Sequence, residues 1–348
     1  MPSKEFKVAT FGEIMLRLSP PGVLRFDQAV RFDAVYGGGE ANVAVSLARL
    51  GLDVEYVTRL PASPIGRACI QSLRQHGVGV SNSIYGGERL GIYFLEKGAG
   101  PRPSQVVYDR ANSSFAQVAP GMIDWERVFQ GCNWFHWTGI TPAISASASE
   151  TCLEGIRIAR KKGLTVSCDL NYRKKLWQWG QGASDVMPEM VSLCDIAIGN
   201  EEDADRIFGI APPNIEVTEQ GIDGRGYESV CQALSDRFPN LRTIAITLRG
   251  SHSADHNSWS AICWSEGRFL EGPTHQIRNV RDRVGGGDSF AAGFIYALLN
   301  SDQDMKFALR FAIAASCLKH TIIGDANLAT LEEIEQLMCG DSSGRISR

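Results

Sequence analysis

Short apolar runs alternate along this chain with longer stretches whose apolar residues recur every three or four positions. Residues 7–12 (Lys-Val-Ala-Thr-Phe-Gly) read as a strand, and 54–58, 134–137, 164–168, 196–198 and 243–248 are of the same type. Helical spacing fills the intervals: 41–50 places Val43, Leu47 and Leu50 on one face, and 66–76, 146–162, 201–208 and 227–238 follow the same rule. Strands separated by helices predict βαβ units, hence an α/β fold whose mostly parallel sheet is covered on both faces. Beyond these come two small β runs at 260–264 and 268–271, then helices near 289–299, 305–319 and 330–338.

Two stretches interrupt the rhythm. Residues 23–36 and 89–113 mix aromatic and polar residues with partial alternation, as in Gly91-Ile-Tyr-Phe-Leu-Glu96 and Gln105-Val-Val-Tyr-Asp-Arg110. They read as strands outside the main sheet, either edge hairpins or a flap able to exclude water from a site. The division expected is an α/β core of residues 1–12, 37–86 and 116–340, a small β-sheet lid of 13–36 and 87–115, and a flexible tail over 341–348. Outward apolar residues on the flap, such as Ile92 and Phe94, offer a surface on which a second copy could pair.

Composition narrows the function classes. Of 348 residues, 44% are hydrophobic and 21% charged, which excludes disordered and fibrous chains. A net charge of −4 without a basic block speaks against nucleic acid and anionic membrane, so the expected partners are small molecules. No run approaches the ~20 apolar residues of a membrane-crossing helix. The nine cysteines form no C-x-x-C pair and several lie in apolar runs, which predicts reduced, buried thiols and a cytoplasmic protein. Six scattered histidines lack metal-ligand spacing. Glycine is in excess, at 36 residues or about one in ten, so its clusters should mark close approaches or positive φ.

The most informative cluster is Asp282-Arg-Val-Gly-Gly-Gly-Asp288, which runs into a helical pattern carried by Phe290, Phe294, Ala297 and Leu298. A glycine turn at a helix N-terminus offers free N–H groups and partial positive charge, an anion hole suited to phosphate. Asp288 has two readings there: an N-cap, or a carboxylate that takes the proton of an attacking hydroxyl. Neither the G-x-x-x-x-G-K-[ST] nor the G-x-G-x-x-G fingerprint occurs, so P-loop and dinucleotide sites are disfavoured.

Three further groups accompany it. Tyr36-Gly-Gly-Gly-Glu-Ala-Asn42 enters a helix and suits close approach to a polyol, with Asn42 both donating and accepting. Asp169-Leu-Asn-Tyr-Arg173 follows a strand, which places Asn171 and Arg173 where open α/β sheets bind ligands. Asn200-Glu-Glu-Asp203 also follows a strand; its acids either hold Mg²⁺ or its waters, or begin a capped, solvated helix.

In order and spacing, the segments 37–42, 200–203 and 282–288 resemble the ribokinase (PfkB-type) family of carbohydrate kinases over nearly the whole chain. The stretch 169–177, with Tyr108-Asp-Arg110-Ala-Asn-Ser-Ser, looks like the 2-keto-3-deoxygluconate kinases of that family; fructokinases share a related D-x-N-x-R-x-x-L-W stretch and are the nearest rival. The resemblance implies a three-layer α/β/α sandwich with a β lid, ATP as donor, Mg²⁺, and transfer of the γ-phosphate to the C6 hydroxyl of the sugar acid. A non-catalytic sugar-binding relative would keep the glycines and lose Asp288.

Carried over, Asp288 is the base, with an ordinary carboxylate pKa sufficient for a loose phosphoryl-transfer transition state, and Gly285, Gly286 and Gly287 form the anion hole. Gly38, Asn42, Tyr93, Tyr108, Arg110, Asn171, Arg173 and Asp325 contact the sugar acid, with Arg110 and Arg173 suited to its carboxylate. Asn200, Thr247, Arg249 and Gly250 join Gly285 and Gly287 on the nucleotide. Glu202 and Asp203 serve the metal, Asp203 standing where the family has Glu. Arg283 and Gly286 stand where it commonly has Thr and Ala.

Overall fold

The computed structural model describes residues 6–340 apart from 214–216, 219–220 and 303; the tail expected over 341–348 lies outside them. Strand β1 (Lys7–Phe11) begins the main sheet, and the chain leaves it at once for β2 (Met15–Ser19) and β3 (Asp33–Gly37). It returns through α1 (Gly39–Arg49), β4 (Asp53–Val57) and α2 (Pro64–Arg74), then departs again for β5 (Ile92–Glu96) and β6 (Gln105–Asp109). The regular part follows: β7 (Trp134–Thr138), α3 (Ala146–Lys161), β8 (Thr165–Asp169), α4 (Ala183–Val191), β9 (Ile196–Asn200), α5 (Asp203–Phe208) and α6 (Glu228–Arg237). A long hairpin of β10 (Thr243–Ser251) and β11 (His256–Ser265) leads through β12 (Arg268–Glu271) and β13 (His275–Arg278) to α7 (Gly286–Asn300), α8 (Met305–Lys319) and α9 (Leu331–Met338).

The nine-stranded sheet is ordered β12-β11-β10-β9-β8-β7-β1-β4, with β13 also on β11. From β4 to β10 neighbours run parallel; β11, β12 and β13 complete the edge antiparallel. Alternate side chains of each strand enter opposite layers, so Ala245 of β10 joins one core while Ile244, Ile246 and Leu248 join the other. One core packs α1, α2, α7, α8 and α9 through residues such as Val43, Ile70, Phe294, Phe311 and Ile334. The opposite core packs α3, α4, α5 and α6 through Ile156, Met187, Ile207 and Leu234. The molecule is a three-layer α/β/α sandwich.

A separate four-stranded sheet, β3-β2-β5-β6, is built from the two excursions. The sequence pattern misplaces one of its strands. Residues 23–32 hold a 3-10 turn rather than a strand, because Pro20-Pro21-Gly22 breaks the chain and pairing resumes only at Asp33. Strand β2 lacks an apolar signature because its buried positions are Met15, Arg17 and Ser19, two of them polar. Phe94, expected to face outward, meets Phe26 and Phe32 of its own chain edge-on, at 6.5 and 6.0 Å between ring centroids. Helix α4 is masked in the sequence by Pro188 inside it.

Among the described residues no two cysteines are paired. Among the same residues no helix is long and apolar enough to cross a membrane.

Candidate active site

The carboxyl ends of the parallel strands bring Thr138, Asp169, Asn200 and Thr247 to one edge of the sheet, Thr138 opposite Asp169 and Asn200 opposite Thr247. A cleft of about 320 Å³ opens there, between this edge and the small sheet. Its floor is the glycine turn. Gly285 has φ +84° and caps α7, and a Cβ on it would stand 1.8 Å from the carbonyl oxygen of Asp325, so both conformation and space demand glycine. Gly286 is the first helical residue and its N–H turns back to the Arg283 carbonyl at 3.3 Å. The amides of Gly287 and Asp288 meet no acceptor among the described residues. On Gly287 a Cβ would have nothing nearer than Asp169 Oδ2 at 4.0 Å. The free amides of the turn are thus those of Gly287 and Asp288, while that of Gly286 is engaged within the turn.

Helix α7 begins three residues earlier than its apolar pattern suggests, which puts Asp288 inside the first turn; Gly285 takes the N-cap. The capping reading of Asp288 falls away. Its Oδ2 accepts a hydrogen bond from Asn42 Nδ2 at 2.7 Å. Burial pushes its pKa up to about 6, against the opposing pull of that bond and of Arg173 and Lys319. The carboxyl is thus a stronger base than an ordinary aspartate, while still ionised at neutral pH.

Gly37, Gly38 and Gly39 line the cleft together with Asn42. Their glycine identity has a different cause from the one expected. A Cβ on Gly37 would meet Asp325 Oδ2 at 2.0 Å, and one on Gly38 the Glu13 carbonyl oxygen at 2.0 Å. Here the close neighbour is the protein itself.

From the small sheet, Tyr93 and Tyr108 face one another in register, 6.1 Å between rings, and both line the cleft. Asp325 lines it too, but its Oδ1 accepts from Arg17 at 2.6 Å and its Oδ2 accepts from the Tyr93 hydroxyl. Arg17 also donates to Asp282 at 2.6 Å. Arg110 does not reach the cleft lining: its guanidinium is buried on Glu13, donating through Nε at 2.8 Å and through Nη2. Asn171 and Arg173 do line the cleft; Asn171 has φ +39°, a conformation asparagine tolerates, and no carboxylate lies within ion-pair distance of Arg173 among the described residues.

Asn200, Thr247 and Arg249 line the opposite end, whereas Gly250 sits inside β10, paired with Ser258, and is not part of the lining. The strand runs on to Ser251 because β11 pairs with it that far.

The acids expected at the metal stand outside the cleft lining. Both carboxylate oxygens of Asp203 accept backbone amides, Oδ2 from Asn200 at 2.8 Å and Oδ1 from Tyr172 at 3.0 Å, so this buried residue fixes the loop that carries Asn171 and Arg173. Glu202 is exposed beside Arg206 at 3.6 Å. Besides Asp288 and Asp325, the acids that face the cleft are Asp169 and Glu201. Burial raises both, and Asp203 and Asp288 raise Asp169 further. Asp169 was legible as the first letter of D-x-N-x-R at a strand end; Glu201 was legible within the acidic triplet only by position. Arg283 and Trp259 also line the cleft.

No group of three metal-ligating side chains occurs among the described residues. Two cleft carboxylates without a cage fit a hard cation that shares its ligands with phosphate oxygens and water.

The profile of the pfkB family carbohydrate kinases matches residues 5–330. The chain is similar to the 2-dehydro-3-deoxygalactonokinase of Haloferax volcanii, 31% identical over 97% of this chain and 98% of that one. It is similar in structure to the 2-dehydro-3-deoxygluconokinase of Thermotoga maritima, with TM-score 0.91, 44% identity, and 96% and 100% of the two chains covered. The fructokinase of Xylella fastidiosa with bound ATP shares the fold, with TM-score 0.74 at 21% identity over 97% and 98% of the chains.

Proposed function

The chain belongs to the pfkB family of carbohydrate kinases, and on that premise we propose that it transfers the γ-phosphate of ATP to the C6 hydroxyl of a 2-keto-3-deoxy sugar acid. What carries this reading is Asp288: a carboxylate of raised pKa, clamped by Asn42, beside two free amides at a helix N-terminus. The sugar hydroxyl lies against Asp288 in this reading, and the amides of Gly287 and Asp288 meet the charge on the transferred group. Arg249 and Arg283 add positive charge at the nucleotide end. Magnesium arriving with the nucleotide would neutralise phosphate charge, with Asp169 and Glu201 holding it or its waters.

An acid substrate suits Arg173, whose guanidinium has no carboxylate partner among the described residues, since a charge-assisted hydrogen bond is worth roughly 1.5–3 kcal/mol. Arg110, buried on Glu13, holds the end of the lid instead. The small sheet acts as that lid, bringing Tyr93 and Tyr108 over the sugar. Unpaired thiols fit a reducing, cytoplasmic setting.

The test is ADP release over a panel of 2-keto-3-deoxygluconate, its galactonate epimer, fructose and ribose. The expected outcome is a kcat/KM for one of the two acids exceeding that for fructose by roughly ten- to a hundred-fold, the worth of one such bond. In Arg173→Ala that advantage disappears while KM for ATP holds. Fructose turned over as well as the acids would overturn the substrate assignment.

A further inference from the structure

Lys319, the last residue of α8, is fully buried, and no carboxylate lies within ion-pair distance of it among the described residues. Its Nζ donates to the carbonyl of Ile322 at 3.1 Å and to that of Asp282 at 3.5 Å. These carbonyls belong to the two segments that build the floor of the cleft. One runs from Asp282 to the glycine turn; the other runs from Ile322 to Asp325, and the Asp325 carbonyl presses on Gly285. A Cβ on Gly285 would stand 3.3 Å from Lys319 Cε, so the lysine stem lies directly under the turn.

Other groups face the same space. Asp282 and Asp325 approach from the two segments, both bridged by Arg17 of β2 at 2.6 Å, with Lys97 3.9 Å from Asp282. Asp288 acts from α7, and His320, whose ring is tilted against that of Trp259 at 5.1 Å and hydrogen-bonded to the Ser316 carbonyl, follows Lys319 in the chain. Arg17 and the partly exposed Lys97 answer the buried carboxylates Asp282 and Asp325, and Asp288 adds a third from α7. Lys319 brings the cations level with these three, and without it a net negative charge would sit beneath a turn that has to receive phosphate. Burial lowers the Lys319 pKa to about 8 against the pull of Asp282 and Asp325, which still leaves it charged at neutral pH.

We propose that Lys319 is a positioning residue, a tethered cation that joins the 282–285 and 322–325 segments and keeps the glycine turn receptive to an anion. It touches neither sugar nor nucleotide. The proposal rests on the kinase reading above, and it implies that the protein needs no free monovalent cation, whereas a chain with the lysine truncated would have a place for one.

The experiment compares wild type, Lys319→Ala and Lys319→Met in potassium chloride and in choline chloride of equal ionic strength, by ADP release and by thermal melting. Wild type is expected to be indifferent to the choice of salt in both assays. Both variants should lose at least roughly ten-fold in kcat in choline chloride, as expected for removing a charge that supports the anion site. Potassium should restore several-fold activity and raise the melting temperature of the alanine variant, which leaves room for an ion between the carbonyls. Methionine fills that room, so its variant should respond to neither salt.

A wild type that itself requires potassium, variants that keep wild-type kcat, or an alanine variant no more responsive than the methionine one would each overturn the proposal. If the alanine variant is unfolded in choline chloride, a cooperative melt regained in potassium supports it, and unfolding in both salts counts against it. Absence of wild-type turnover with either sugar acid would refute the substrate reading instead, leaving the melting comparison to decide on Lys319.

Discussion

Asn42 Nδ2 donates to Asp288 Oδ2 at 2.7 Å, joining the first turns of two helices that begin 247 residues apart, α1 at Gly39 and α7 at Gly286. The bond opposes the burial that raises the aspartate to about 6. A hydrogen bond to the charged form favours that form, so its loss sends the pKa higher still. In Asn42→Ala the acid limb of kcat/KM should move from about pH 6 to a value roughly one unit higher, the equivalent of about 1.4 kcal/mol. In Asp288→Asn turnover should fall by roughly 10²–10⁴ with ATP still bound, as measured by calorimetry. An unmoved acid limb in the Asn42 variant would separate Asn42 from the proton acceptor.

The glycines of the turn should divide under mutation. Gly285→Ala forces a left-handed φ of +84° on alanine and drives its Cβ to 1.8 Å from a backbone oxygen, so the protein should melt well below wild type. Gly287→Ala meets no protein atom nearer than 4.0 Å. Alanine in a helix is favoured over glycine by about 0.8–1 kcal/mol. That variant should therefore melt at or above the wild-type temperature and still lose activity, because its methyl enters the space for the phosphoryl group. Equal losses of stability in the two variants would contradict this division.

The sandwich was readable in the sequence because its layers follow from periodicity: buried parallel strands are continuous apolar runs, and the helices between them carry one apolar face. Where a pattern depended on a distant partner it misled. Arg17 on β2 looks like a solvent-facing residue until Asp282 and Asp325, 265 and 308 positions away, neutralise it inside the protein. The site glycines, Asp288, Asn42, Asn171 and Arg173 were legible because local motifs carry them. Arg110, Glu202 and Asp203 lie outside the cleft lining, which no local motif foretells. A charged residue beside a motif can serve the substrate or another protein group, and only the fold reveals Glu13 beneath Arg110 and the Tyr172 amide on Asp203.

Arg17 is 1% exposed, and burial alone would lower its pKa; Asp325 and Asp282 overcome that and hold it protonated. Arg17→Met removes two charge-assisted bonds and leaves two buried carboxylates with less cation around them. Breaking one side of such a group costs about 3–5 kcal/mol. Denaturant melts should show a loss of that order, and adding Asp282→Asn and Asp325→Asn to Arg17→Met should recover part of it. A triple variant less stable than Arg17→Met would mean that the carboxylates are held by groups other than the arginine.

Glu40 presents the inverse case, a buried carboxyl with donors but no cation. Its Oε1 accepts from the Thr138 amide at 3.0 Å, the Thr138 hydroxyl at 2.9 Å and the Thr141 hydroxyl at 2.7 Å. Oε2 lies against Gly12, where a Cβ would be 2.1 Å from it. Burial outweighs the three donors and raises the pKa from 4.5 to about 7. Since the folded value lies above the unfolded one, the folded protein takes up this proton first, and wild-type stability gains as pH falls from about 7 to 4.5. Above pH 7 the ionised group is carried at a cost. Glu40→Gln keeps the acceptor and removes the titration. Whatever its offset at low pH, the variant's stability relative to wild type should rise by roughly 2–3 kcal/mol between pH 4.5 and pH 8, because each pH unit separating the folded and unfolded values is worth about 1.4 kcal/mol. Urea melts of both proteins across that range measure the difference; parallel stability curves would show that Glu40 titrates as an ordinary carboxylate.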